Sequence, residues 1–106
     1  MKNFLFICSY NQLRSPTAET IFSTYPGINT RSAGLREDAI HRLDSEDIEW
    51  ADCIFVMEKH HKEKLMNNYN QFLKNKKIIV LDIPDNYGYM DDKLIEILKS
   101  KVSKYL

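Results

Sequence analysis

Cys8 and Arg14 form a Cys-x5-Arg pair, and Ser15 follows directly. The segment Cys8-Ser9-Tyr10-Asn11-Gln12-Leu13-Arg14-Ser15 comes after an apolar run and leads into a helical pattern. A loop closing onto a helix N-terminus aims several backbone N–H groups at one point, and the helix dipole adds partial positive charge there. Such a nest suits a phosphate dianion. Arg14 can grip two of its oxygens in bidentate fashion, which a lysine cannot do. The same field favours the thiolate of Cys8, and thiolate is the nucleophilic form. Ser15 can offer its hydroxyl to the sulfur, and Asn11 tolerates the left-handed backbone that a tight loop needs. The plainer reading makes Cys8 a buried thiol at a strand end.

Expelling an alkoxide or phenolate is slow without a proton, and a placed carboxylic acid typically contributes about 10²–10⁴-fold. Asp82, at the end of the last apolar run, and Asp85, just beyond Pro84, are both within reach of such a pocket. Asp91 and Asp92 fit the first turn of the final helix instead, where acids are stabilising. Tyr87 and Tyr89 suit either stacking on a substrate ring or half-buried packing.

The elements that would position these residues are legible. Phe4 to Cys8, Cys53 to Met57 and Ile78 to Leu81 are continuous apolar runs, as in parallel strands buried on both faces. A weaker strand is expected over Ile28 to Ala33, ended by Gly34. Ala18, Ile21, Phe22 and Tyr25 share a helix face, with Pro16 in its first turn and Pro26-Gly27 as its stop. Asp44 caps a short helix through Trp50. Apolar stripes predict further helices from Glu58 to about Asn75 and from about Leu94 to Tyr105. The order β-α-β-α-β-α-β-α implies a parallel sheet with right-handed crossovers, its ligand site at the carboxyl ends of the strands.

The 106 residues fit a single domain, 1–106, of average composition, with 43% hydrophobic and 28% charged residues. Fifteen basic and fifteen acidic side chains cancel, which argues against a dedicated nucleic-acid binder. No apolar run is long enough to cross a bilayer. Two cysteines cannot make a disulfide framework, so a reduced, cytoplasmic protein is expected. Cys53 enters its strand near the amino end and Cys8 leaves a parallel strand at the carboxyl end, about 13 Å apart at roughly 3.3 Å per residue. That is too far for a disulfide. His60 and His61 are adjacent on a helix and His41 stands alone; surface roles are expected for all three, and no metal site or cofactor. Residues 37–58 hold eight acids against Arg42, net −7, while residues 59–81 hold six lysines against Glu63, net +5. Solvated helix faces and an electrostatic docking surface are the two readings of that contrast.

Cys8-x5-Arg14-Ser15-Pro16-x-Ala18-Glu19 resembles the signature of the low molecular weight protein tyrosine phosphatases. Ser32-Ala33-Gly34 is similar to that family's second loop, Trp50 to Met57 to its third strand, and Ile83-Pro84-Asp85-Asn86-Tyr87-Gly88 to its acid-bearing loop. Typical members are about half as long again, with the shortfall here between Gly34 and Asp44; the chain most resembles a short bacterial subgroup. The resemblance implies a three-layer α/β fold of the phosphotyrosine phosphatase I type, an open four-stranded parallel sheet with helices on both faces. It also implies two-step phosphomonoester hydrolysis without a metal. Cys8 becomes the nucleophile that forms phosphocysteine, Arg14 the oxyanion clamp and Asp85 the general acid, with Asp82 its rival. Ser9, Tyr10, Asn11, Gln12, Leu13, Ser15 and Tyr87 would contact substrate, while Asn11 with Ser32 braces the loop. The expected partner is a phosphotyrosine protein or small aryl phosphate, met by a monomer, with neither nucleic acid nor membrane.

Two positions depart from that pattern. Tyr10 stands where the family usually has glycine, so either the loop is displaced or the ring lines the pocket. Asn86 follows the acid where proline is usual, which loosens the acid loop. Two rival functions remain. A phosphocysteine carrier domain of a sugar-transport system would need neither Arg14 nor Asp85, and an inactive phospho-residue binding module would keep the loop without turnover.

Overall fold

A computed structural model describes residues 1–106. Strands β1 (Lys2–Cys8), β2 (Ile28–Gly34), β3 (Cys53–Val56) and β4 (Lys77–Val80) form one parallel sheet in the order β2-β1-β3-β4. Helices α1 (Arg14–Phe22), α2 (Ser45–Trp50), α3 (Lys59–Tyr69) and α4 (Asp92–Val102) alternate with the strands, and short 3₁₀ turns follow α3 and α4. No helix is long and apolar enough to cross a membrane.

The continuous apolar runs have their explanation in two cores, one on each face of the sheet. Phe4, Phe6 and Phe55 point to the face covered by α1 and α4, where they meet Phe22, Leu94, Leu98 and Val102. Leu5, Ile7, Ile54 and Val56 point to the other face, against Ile48 of α2 and Leu65 of α3. Every second side chain of β1 thus serves one layer and its neighbours serve the other.

The helix starts expected at Asp44 and at Asp91-Asp92 are the observed ones, while the ends of α1 and α3 differ. Asp44 caps α2, accepting from Asp47 N at 3.0 Å, and Asp91 caps α4, accepting from Lys93 N at 2.8 Å. Helix α1 stops at Phe22, short of Pro26-Gly27, because Ser23 and Thr24 turn their hydroxyls back onto the carbonyls of Thr20 and Ile21. Helix α3 ends at Tyr69 and tightens into a 3₁₀ turn.

Chain direction reverses its progress across the sheet at β1, since β2 lies on one side of it and β3 on the other. The carboxyl end of β1 is therefore the topological switch point, where α/β sheets bind ligands. Cys8 is its last residue.

Candidate active site

The start of the loop from Ser9 to Leu13 is anchored through its carbonyls. Those of Cys8, Ser9 and Tyr10 accept from Leu35 N, Arg36 N and Ile40 N at 3.0–3.1 Å, in the segment that continues β2. None of the backbone N–H groups from Ser9 to Ser15 donates to a backbone carbonyl. Helix α1 starts without a side-chain cap and without an acid in its first turn. Free donors and the positive helix end together are suited to hold an anion. Gly34 allows this close approach: a Cβ there would meet Ser9 O at 2.7 Å, Asn11 N at 3.0 Å and Ala39 Cβ at 2.5 Å.

Asn11 is the loop residue with positive φ, at 56°, while Tyr10 is not among the positive-φ residues. Of the two alternatives for Tyr10, a displaced loop or a ring lining the pocket, no left-handed strain bears on the choice, because the left-handed turn falls one residue later on an asparagine. The Tyr10 ring instead lines a cavity of ≈180 Å³ together with Cys8, Gln12, Leu13, Arg14 and Asp85. The Arg36 guanidinium covers the ring, 4.6 Å from its centroid.

A directed chain of hydrogen bonds ends on the sulfur. The Glu19 carboxylate can only accept, so Ser32 Oγ donates to it at 2.5 Å. Ser32 therefore accepts from Asn11 Nδ2, at 2.9 Å, and the second Nδ2 proton goes to Ser15 Oγ, also at 2.9 Å. Ser15 is left with its own proton to donate to Cys8 Sγ, 2.9 Å away. Glu19 sets the polarity of the whole relay.

Arg14 is buried and fixed by one end. Its Nη1 donates to Glu58 Oε2 at 2.5 Å and to the carbonyl of Ile83 at 2.8 Å. Both Nη1 protons are then spent, and the Nε–Nη2 edge remains for two oxygens of a ligand. Asp85 Oδ1 lies 3.7 Å from Nε, on an exposed side chain at the cavity rim. Burial alone raises the Glu58 carboxyl, but the Arg14 hydrogen bond and charge, with His60 beside it, outweigh burial and hold it below the usual carboxylate range.

His61 ties Glu58 to the Ser9–Leu13 loop. Its Nδ1 accepts from Glu58 N at 3.0 Å, so Nε2 carries the proton and donates to Ser9 Oγ at 2.9 Å. Burial, with the neighbouring His60 and Arg14 charges, lowers its pKa to about 4. The surface role expected for His61 is overturned, since the side chain is 1% exposed. Nor do the two neighbouring histidines diverge: their ring centroids are 4.2 Å apart, and with Glu58 they offer ligand atoms within 4.8 Å of one another. The cause is the helix start, which turns both rings back toward Glu58; both nitrogens of His61 already have protein partners. His41 pairs with Asp47 at 2.8 Å.

Not every expected contact residue reaches the cavity. Ser9 and Asn11 brace the loop through His61 and Ser32 rather than lining the cavity. Tyr87 packs against the core near α4 and borders a separate groove with Lys93 and Ile97. Tyr89 meets Thr20 Oγ at 3.2 Å. Asp82, at φ 58°, faces a groove shared with Ile79, Lys101 and Tyr105, away from Cys8. Cys53 pairs in register with Phe4, four residues below Cys8, and both thiols are free. It is half-buried at the core margin rather than enclosed, and burial raises its pKa. Glu58 and His61 were not anticipated from the sequence; both follow β3, and only its pairing with β1 brings them to this site.

No protein-family model and no curated protein matches this sequence. Solved structures do. A low molecular weight protein tyrosine phosphatase from T. tengcongensis superposes with a TM-score of 0.78 at 24% identity, over 100% of both chains. This chain has the fold of the low molecular weight tyrosine phosphatases. The tyrosine phosphatase Wzb from Escherichia coli K30, solved in complex with phosphate, gives 0.79 at 20% identity over 98% of this chain and 95% of its own. The YwlE arginine phosphatase from Geobacillus stearothermophilus gives 0.78 at 21%, over 99% and 92%. The expected three-layer architecture is thus the observed one.

Proposed function

We propose that this protein is a phosphomonoester hydrolase acting on phosphotyrosine in proteins or on small aryl phosphates. The observation that carries the reading is the convergence of Cys8, Arg14 and Asp85 on one cavity, above a loop whose N–H groups have no backbone acceptor. The fold shared with solved tyrosine and arginine phosphatases supports it. A phosphocysteine carrier would require neither the buried, anchored Arg14 nor an acid at the rim.

The geometry supports a reaction of two displacements. The phosphate oxygens bind the loop N–H groups and the Nε–Nη2 edge of Arg14, which draws Nε away from Asp85. Cys8 Sγ attacks phosphorus, the P–O bond to the leaving group breaks, and protonated Asp85 delivers its proton to that oxygen. Asp85, now a carboxylate, takes a proton from water as water attacks the phosphocysteine. The P–S bond breaks, inorganic phosphate leaves, and the thiolate is received by the Ser15 hydroxyl. One chain holds every group used, so a monomer suffices, and the free thiol suits a reducing, cytoplasmic setting.

The test is turnover of p-nitrophenyl phosphate and phosphotyrosine with orthovanadate present or absent. Phosphate release that vanadate inhibits competitively is the expected result. Folded protein that binds phosphate but hydrolyses neither compound would favour the binding module.

A further inference from the structure

Beside the catalytic cavity lies a groove of ≈560 Å³ between the Leu35–Arg42 segment and helix α3, bordered by Arg36, Glu37, Asp38, Arg42, Lys64 and Asn68. It lies where the acidic stretch 37–58 meets the basic stretch 59–81 of the sequence. Lys64 and Asn68 stand one turn apart on the same face of α3. Arg36 is paired with Asp38 at 3.0 Å, whereas Arg42 and Lys64 make no ion pair. Two unneutralised cations therefore border one polar groove, opposed there only by the exposed carboxylate of Glu37.

The groove and the catalytic cavity share a wall. Arg36 borders the groove and covers the ring of Tyr10, which lines the cavity. The same segment is pinned to the phosphate loop by Ile40 N donating to Tyr10 O at 3.0 Å. A peptide whose phosphorylated residue enters the cavity and whose backbone crosses this lip lays its flanking side chains over Arg42 and Lys64. We propose that the groove is a substrate subsite for a carboxylate side chain flanking the phosphotyrosine, held by Arg42 and Lys64. This rests on the phosphotyrosine reading above and adds the class of sequence that the enzyme selects. A lining so poor in apolar side chains recognises charge, and cations on a rim steer and select more than they anchor.

The experiment compares kcat/KM on phosphotyrosine peptides that differ only in carrying Glu or Lys at successive positions on either side. The native protein should prefer a Glu peptide by roughly five- to tenfold at low salt, and the preference should shrink at high ionic strength. The double variant Arg42→Glu/Lys64→Glu should lose or invert that preference while kcat and KM for p-nitrophenyl phosphate stay unchanged. Glu37→Gln should enlarge it. Equal values for Glu and Lys peptides in the native protein, or an undiminished preference in the double variant, would overturn the subsite. The same comparison read as Kd on Cys8→Ser protein needs no turnover. Preserved selectivity there, with no hydrolysis by the native enzyme, would count against the hydrolase reading alone.

Discussion

The loop from Ser9 to Leu13 and the loop from Pro84 to Gly88 meet at one cavity and are held in opposite ways. On the first, the Ser9 and Tyr10 carbonyls are bonded to the segment after β2, Asn11 is buried, and Ser9 is tied to His61. On the second, no hydrogen bond holds Asp85, Asn86 or Tyr87, and Asp85 is 56% exposed. The contrast matches the two tasks proposed for them. A group that binds a transferring phosphoryl must already point where charge develops, because reorientation during the reaction costs energy. A proton donor must meet leaving groups of different size and then turn to water, so a lightly restrained loop serves it.

The largest expected effect comes from loosening the rigid side. Arg14→Lys removes the planar two-point grip and should lower kcat/KM on p-nitrophenyl phosphate by about 10³-fold or more. Activity near the native value would mean that the loop amides bind the phosphoryl group alone. On the lightly held side, Asp85→Asn should slow phenyl phosphate hydrolysis by about 10²-fold or more, yet act more mildly on p-nitrophenyl phosphate, whose leaving group needs little protonation. Asp82→Asn, facing another groove, should behave as native on both substrates. A leaving-group-dependent defect in Asp82→Asn alone would move the acid to that residue.

Much of this site was legible because it is local. A cysteine closing a buried strand, an arginine opening the next helix and an asparagine able to take positive φ all lie within one segment, and chain order alone brings them together. What was missed depends on register. Glu58 reaches Arg14 because β3 pairs with β1 through Ile7 and Val56, which brings the residues after Val56 to the same sheet edge as Cys8. An acid and two histidines after a strand do not disclose that pairing. The two readings of Tyr87, stacking on substrate or half-buried packing, were inseparable for a similar reason. Only the path of the loop before its turn at Met90 (φ 60°) lays the ring on the α4 side, in the packing role.

Glu58→Gln sharpens the comparison at a smaller scale. It keeps the shape of the Arg14 anchor but removes its charge, and should cost about tenfold in kcat/KM with the fold retained. An unchanged value would mean that the Ile83 carbonyl fixes Arg14 without help. The smallest effect concerns His61. Its pKa is near 6.5 when unfolded and about 4 when folded. Between those values the unfolded chain binds the additional proton, so stability is full above pH 6.5 and falls as the pH drops toward 4. Thermal melting across this window should show that loss, and His61→Gln should flatten it. A native-like slope in the variant would assign the acid sensitivity to other groups.

The central claim is that Cys8 carries the phosphoryl group covalently between the two displacements. Asp85→Asn protein, mixed with p-nitrophenyl phosphate and quenched in denaturant before the slowed second step completes, should hold phosphate on the peptide containing Cys8. The linkage should show the ³¹P signature of a thiophosphate ester, and Cys8→Ser protein treated alike should show no S–P bond. Phosphate on another residue, or full turnover in Cys8→Ser protein, would contradict the account.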